Sequence, residues 1–324
     1  MIGDIRRFLL LPHIKVHNAN ALSSPFTIGF PAMTAWLGAV HALQRKVNAS
    51  GLQNVDFNRT AVVSHKVDLQ TYKGAGDWVN SIVIAKRPSF TRKELTKFNS
   101  GKAPTFIEDA RCHLDVSLLI EYPRINRDDE EVLIHQVIHH LNASMKIAGG
   151  DILSFKKPTL LRIEEGNDTE LRRLTRQLMP GYAIIERREL MIDAMEQGLD
   201  AIDALLDYLV IRHSCEQDDT GNVAWTSQRK TSGWIVPIAT GFHGISELGQ
   251  AKNQRDPDIP HRFVESVVTL GEFRMPYRIR SLDEILWHYH TDLEKNLYLC
   301  QQISQSESNF GEPACKAGGL PKIN

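Results

Sequence analysis

No stretch of this sequence approaches the roughly 20 consecutive apolar residues of a transmembrane helix, and the apolar run nearest its start, Phe8 to Leu11, is too short for a signal-peptide core. Cysteine is scarce. Cys112, Cys215, Cys300 and Cys315 stand far apart, with no C-x-x-C and no histidine at zinc-finger spacing, which argues against a disulfide framework and a zinc module. Together these absences predict a reduced, cytoplasmic protein without membrane contact. Excess charge is missing as well: 38 Lys+Arg stand against 39 Asp+Glu, a formal net charge of -1, which rules out a uniformly basic nucleic-acid binder and leaves room for a locally basic one.

Catalytic and phosphate-binding signatures are absent too. There is no G-x-S-x-G, no P-loop and no G-x-G-x-x-G, and Gly149-Gly150 before Asp151 lacks the Lys and Ser/Thr of a phosphate loop, so it reads as a tight turn after a helix end. The adjacent carboxylates Glu164 and Glu165 have no apolar pocket around them in sequence that would suit acid/base work. His135 and His139 have the i,i+4 spacing of a metal pair, but position 136 is Gln and the pair lies on a polar helix face. Neither a metal nor a cofactor is expected.

What remains is the composition of a soluble globular chain: 324 residues, 42% hydrophobic and 24% charged, enough for one large or two medium domains. Phe8 to Val16 reads as a strand whose polar side carries His13, Lys15 and His17. A polar loop, Asn18 to Gly29, follows, and then a helix with Met33, Trp36, Leu37, Val40 and Leu43 on one side. Thr60 to Gln70 reads as a second strand, with Val63, His65, Val67 and Leu69 on one face. In a third, His113 to Ile120, Leu114, Val116, Leu118 and Ile120 alternate with His113, Asp115 and Ser117. Acidic residues Asp128 to Glu131 open a helix with stripe Ile134, Val137, Ile138, Leu141 and Met145, closing at Lys146 and Gly149, and Ile152 to Phe155 is a fourth strand. The order βαββαβ is the ferredoxin-like, or RRM-like, arrangement. The fold class expected is therefore α+β, with residues 1–165 as the core and a second α+β half, 166–300, packed on it. That half reads as a helix at Thr169 to Leu178, a strand at Tyr182 to Glu186, a helix from about Leu190 to Ile211, strands at Gly233 to Ile238 and Phe263 to Leu270, and a helix at Leu282 to His288. The composition of 301–324, poor in apolar residues, predicts a disordered tail.

Nucleic-acid contact is the chemistry these residues express best. An insertion at about 72–111 carries Lys86, Arg87, Arg92, Lys93, Lys97 and Lys102 against Glu94 alone, a local net charge of +5 within 86–104. It stands equally as a solvated loop and as a phosphate-binding arm. Lys15, Asn18, Asn20, Ser23 and Ser24 offer donors for base edges or phosphates, and Arg172-Arg173-Leu174-Thr175-Arg176 can neutralise phosphates. Arg255 and Arg262 sit in a loop stiffened by Pro257 and Pro260, either for guanidinium–phosphate contact or for a structural bridge to Asp256, Asp258 or Glu265. The strands lack the aromatic pair that stacks bases in the common RNA-recognition module, which moves any contact to loops, arm and helix ends.

Several stretches, taken in order, resemble one known family. They are Asn18-Ala19-Asn20-Ala21-Leu22-Ser23-Ser24-Pro25, Gly29-Phe30-Pro31, His41-Ala42-Leu43-Gln44-Arg45, Ala148-Gly149-Gly150 and Leu178-Met179-Pro180-Gly181-Tyr182-Ala183. Gly233-Trp234-Ile235-Val236-Pro237-Ile238, Arg262-Phe263-Val264-Glu265, Leu270-Gly271-Glu272 and Leu286-Trp287 continue the series. From about residue 8 to 299 the chain resembles the Csy foot subunit of the type I-F CRISPR surveillance complex, a branch of the RAMP superfamily. The resemblance implies a ferredoxin-like core with a protruding basic thumb. It also implies a non-catalytic subunit for antiviral defence that grips the 5′ handle of the guide RNA and assembles with the large subunit and the first backbone subunit. It leaves open contact with target double-stranded DNA near its recognition motif. On that reading Lys86 to Lys102 belong to the thumb, and Asn18 and Asn20 lie where RAMP proteins meet RNA. Two alternatives stand beside it: a metal-independent endoribonuclease using His17, His41 or His65 as general acid or base, and a scaffold whose basic arm docks on an acidic protein surface.

Overall fold

A computed structural model describes residues 4–52, 55–86, 108–217, 221–254 and 256–303. In chain order the first half contains β1 (Ile5–Asn20), β2 (Leu22–Ser24), β3 (Thr27–Ile28), α1 (Met33–Ala49), β4 (Arg59–Leu69), β5 (Thr71–Tyr72), β6 (Ser81–Ile82), β7 (Ile84–Lys86), β8 (Glu108–Tyr122), α2 (Arg127–Ala143), β9 (Lys146–Ile147), β10 (Gly150–Ser154) and β11 (Thr159–Glu164). The second contains α3 (Asp168–Gln177), β12 (Tyr182–Glu186), α4 (Arg188–Glu196), α5 (Ala201–Leu209), β13 (Arg212–Gln217), β14 (Val223–Gln228), β15 (Trp234–Gly244), β16 (Val264–Arg274), β17 (Trp287–Asp292) and β18 (Leu297–Gln302).

Mixed helix and strand build one large antiparallel sheet. Its centre runs β10-β1-β8-β4, and β11 shares the β10 edge of β1 by pairing with Ile5 to Leu10. The far edge of β4 is divided: Val63 and Ser64 pair with β12, while Thr60 pairs with Trp287 of β17. From there the order β12-β16-β15-β18-β17 returns to β4, so the strands of the second half close upon the first.

Burial explains the sequence pattern. One face of the central sheet packs Leu9, Leu11, Ile14, Val16, Val62, Val116, Leu118 and Ile120 against α1 and α2. Helix α1 contributes Met33, Trp36, Leu37, Val40, Leu43 and Val47, and α2 contributes Leu133, Val137 and Leu141. On the opposite face, Phe8, Leu10, Ala61, Val63 and Leu119 lie under Leu174 and Leu178 of α3 and its following turn and under Ile279 to Leu286. Both faces of β1 are therefore covered at Phe8-Leu9-Leu10-Leu11, which is why that run is apolar throughout. Beyond Leu11 the second cover ends, and alternation with polar residues begins.

Several boundaries differ from the sequence reading. Strand β1 runs on through Asn20, and the expected loop shrinks to the β2–β3 hairpin because Leu22 pairs with Ile28 and Ser24 with Thr27. Helix α2 ends at Ala143, and Gly149 belongs instead to the tight β9–β10 turn, where Ala148 and Gly149 take φ of 47° and 74°. Gly150 must be glycine: an added Cβ would lie 2.7 Å from the His17 carbonyl oxygen and 2.8 Å from the Ala19 nitrogen. The single helix expected from Leu190 to Ile211 is two, since Gly198 at φ 97° stops α4 and Asp200 caps α5 through the amides of Ile202 and Asp203. No helix spans Leu282 to His288: the Ser281–Glu284 capping box makes one 3-10 turn, and Trp287 then enters β17. Strands β11, β13, β14 and β18 had no sequence forecast. Strand β18 includes Gln301 and Gln302, both buried, so the sheet extends two residues into the span read as tail, and 304–324 lie outside the described residues. Cys112, Cys215 and Cys300 are free thiols.

Candidate nucleic-acid interface

The outer face of the central sheet, past the cover over Phe8 and Leu10, is lined by the polar members of each alternation. Bulges shape it. Opposite Ser117 of β8, β1 inserts an extra residue between Leu11 and Ile14, and opposite the Asp115–Val116 step β4 inserts one between Ser64 and Lys66. The bulged residues include His13, at φ 50°, and His65. Their rings stack at a centroid distance of 4.1 Å, and the His65 bulge puts Val63 and Leu69 on opposite faces, where unbroken alternation had placed them on one. A second bulge in β1, between Val16 and Ala19, lets His17 stack on His113 at 4.5 Å and turns Asn18 to φ 61°. Left-handed backbone at His13 and Asn18 costs about 1–2 kcal/mol per residue, and strain of this kind gathers at functional sites.

The first histidine pair is held by a closed network. The Pro180 carbonyl can only accept, so His65 Nδ1–H donates to it at 2.6 Å, which leaves His65 Nε2 to accept from the Ser117 hydroxyl at 2.6 Å. Ser117 Oγ in turn accepts from the His13 backbone N–H at 3.0 Å, and His13 Nδ1–H donates to Asp115 Oδ1 at 3.1 Å. Burial holds the pKa of His65 below the usual histidine range. Gly181 makes the close approach of the Pro180 turn possible, since a Cβ there would lie 2.8 Å from His65 Nδ1. His13, His65 and Asp115 also carry metal-ligating atoms within 4.8 Å of one another, but each is committed to a hydrogen bond and the imidazoles lie parallel rather than converging on one point.

Of the residues singled out in sequence, Lys15 is exposed on β1 between the two histidine pairs, beside His17. Asn18 borders the same face, but its Oδ1 accepts from Gln70 Nε2 at 3.1 Å and its N–H bonds His113 Nδ1 at 3.1 Å. Asn20 closes a turn with both the carbonyl and the amide of Leu22. Ser23 and Ser24 bond Thr27 within the β2–β3 hairpin, and Ser24 is buried. Arg262 is held by Asn296 Oδ1 rather than by Asp256, Asp258 or Glu265, and it does not join the histidine face. Lys86 ends β7 opposite Glu108. Arg87, Arg92, Lys93, Lys97, Lys102 and Arg255 lie outside the described residues. Among the nuclease candidates, His41 is exposed on α1, across the sheet from His17 and His65, so the three do not assemble. On α2, His139 packs edge-on to His140, which bonds Ser50 Oγ at 3.0 Å.

Sequence reasoning missed Gln70, His113, Asp115 and Ser117 as members of one site. Their signal was present as polar positions alternating with the core, and only the bulges show which of them meet. The resulting surface offers imidazole rings of the kind that stack on unpaired bases and a flanking lysine.

A protein-family model described as CRISPR-associated protein (Cas_Csy2) matches residues 9–300 of the chain. A curated relative, CRISPR-associated protein Csy2 of Pseudomonas aeruginosa (strain UCBPP-PA14), is 34% identical over 323 residues, spanning 92% of this chain and 95% of the relative. No helix among the described residues is long and apolar enough to cross a membrane.

Proposed function

The chain belongs to the Csy2 family of CRISPR-associated proteins, and from that membership we propose that it works in the cytoplasm as a non-catalytic RNA-binding subunit of a type I-F CRISPR surveillance complex. It grips the 5′ handle of the guide RNA and assembles with the large subunit and the first backbone subunit for antiviral defence. The observation that carries the RNA reading is the histidine face with Lys15, set on a central sheet ordered β10-β1-β8-β4 with α1 and α2 on the other side. That order is the 4-1-3-2 sheet of a ferredoxin-like fold and supports assignment to the RAMP superfamily, with the insertion at about 72–111 as its thumb.

Assembly has support of its own. Ile192, Met195, Leu199, Ile202, Leu206 and Val210 are exposed on α4, α5 and the residues flanking α5, and Leu199, Leu206 and Val210 line one open groove; exposed apolar surface of this kind suits a protein contact. A non-catalytic role is supported by the histidine network, in which the nitrogens of His65 are engaged by Pro180 and Ser117 rather than poised toward solvent.

The test is co-expression with the large subunit and a labelled guide RNA whose handle is native or scrambled, followed by isolation of the complex and sizing of its RNA. Intact RNA retained only with the native handle is the expected outcome. Shortened RNA would make the chain a processing enzyme, and assembly indifferent to the handle would leave it a scaffold.

A further inference from the structure

A second basic surface lies on different elements from the histidine face. Helix α3 and the segment Pro276 to Arg280 enclose an open cleft of about 840 Å³. Arg172, Arg278 and Arg280 line it and are exposed, and among the described residues none of the three pairs with a carboxylate. Two other charged groups of the cleft are already engaged. Glu284 accepts from the amides of Arg280 and Ser281 and pairs with Arg274 at 3.5 Å, while Arg274 also holds Glu272 at 3.0 Å. Asp168 is the one remaining acid of the lining, so the arginines keep an excess of positive charge.

The cleft is also rigid. Pro276 begins a 3-10 turn closed by Arg278 N–H to Met275 O at 2.9 Å and Ile279 N–H to Pro276 O at 3.1 Å, and buried Ile279 anchors it between exposed Arg278 and Arg280. Tyr277 is 59% exposed, with the Arg278 guanidinium 5.8 Å from its ring centroid. The Arg278 guanidinium lies over one face of the ring and donates through Nε to the Tyr277 hydroxyl at 3.3 Å; unpaired guanidinium groups beside a largely exposed aromatic ring suit a single nucleic-acid strand, in which phosphates pair with arginine and a base stacks on the ring's other face.

We propose that this cleft is a second nucleic-acid site, binding the phosphodiester backbone of a single strand through Arg172, Arg278 and Arg280, with Tyr277 as a stacking platform. It does not depend on recognition of the handle. The strand is guide RNA or displaced target DNA, which share that backbone.

The test uses the full chain with labelled oligo(U) and oligo(dT), neither of which contains a handle, and follows anisotropy against salt. Each phosphate contact contributes about -0.7 to the slope of log affinity on log salt for single strands, so the three arginines account for about 20-fold of the fall in affinity between about 50 and 200 mM salt. R172A/R278A/R280A should lose that share of the dependence and R172K/R278K/R280K should keep it, which separates lost charge from lost fold. Preference for oligo(U) assigns the site to guide RNA, and equal or stronger binding of oligo(dT) assigns it to DNA. An unchanged slope in the alanine variant, or no salt-dependent binding by the wild-type chain, overturns the proposal. So does a variant that keeps both strands and loses only its protein partners, which would make the cleft a protein-docking surface.

Discussion

Replacing Ser117 with alanine removes a single oxygen from the point where β1, β4 and β8 meet. The residue is 1% exposed, and its hydroxyl both accepts from the His13 N–H and donates to His65 Nε2. A buried polar group left without its partner costs about 1–3 kcal/mol, and S117A leaves two. The side chain of His13 is 20% exposed, so water can reach one of the orphans. The expected net loss is therefore about 2–3 kcal/mol, read as a lower urea midpoint at unchanged m-value. Ser50 supplies the comparison: its hydroxyl also meets a histidine, His140, but both residues are on the surface, so S50A should stay within about 0.5 kcal/mol of wild type. A second readout follows from direction alone. Burial is the main cause of the low His65 pKa, and the Ser117 hydroxyl adds to it by donating to the Nε2 lone pair of the neutral ring, so NMR titration of S117A should show the His65 pKa move upward. If S117A is as mild as S50A and the His65 titration does not move, the network is not what holds the two bulges together.

The pH dependence of stability has a definite sign. The folded-state pKa of His65 lies below its unfolded value near 6.5, so its contribution is complete above that value and is lost as pH falls toward the folded pKa. Urea midpoints should therefore drop between pH 7 and pH 5, and H65Q should flatten part of that drop; a parallel pH profile in H65Q would refute it. Thiol reactivity should divide by position. Burial pushes Cys112 up to about 11 and Cys300 up to about 12, whereas Cys215 is exposed on β13, so in a C315S background a thiol reagent should modify one cysteine in the native state and three after unfolding. Rapid native modification of Cys112 or Cys300 would contradict the burial.

How much of this was legible in sequence depended on whether a feature is local. Period-two alternation located β1, β4 and β8, and the acidic residues of its first turn marked the start of α2, because each signal lies within one element. Bulges are not local. Nothing in Ser64-His65-Lys66 says that β4 gains a residue there, since the extra residue is defined only by its pairing with β8. A one-residue slip moves side chains to the other face, and so unbroken alternation placed His65 beside Leu69. The same limit hid β17 and β18: β17 pairs with β4 through Trp287 and Thr60, more than half the chain apart, and β18 pairs with β15 across the whole of β16. Asn20, Ser23 and Ser24 are residue types that bond either RNA or a turn, and tertiary geometry gave their side chains to the turn.

The histidine face owes its position to the way the second half caps the first. Phe8, Leu10, Ala61, Val63 and Leu119 are buried by residues from α3 onward, and the open face begins where that cover stops. Exposing a buried side chain the size of Phe8, Leu10, Val63 or Leu119 costs about 1.5–3 kcal/mol, so these four together tie the halves by far more than any single ion pair could. Arg6 and Arg59, which both reach Asp283 and Glu121, act at the rim of that contact and fix its register. Trp287 closes it from the other side, fully buried, with Nε1–H donating to the Ile184 carbonyl at 3.0 Å. A half that swung away would strip this cover, so the two should unfold together. Native-state hydrogen exchange under mild denaturant should then give amides of β8 and β16 the same opening free energy. Exchange of β16 at a free energy lower by more than about 2 kcal/mol would mean that the second half opens alone and that the boundary of the histidine face moves with it.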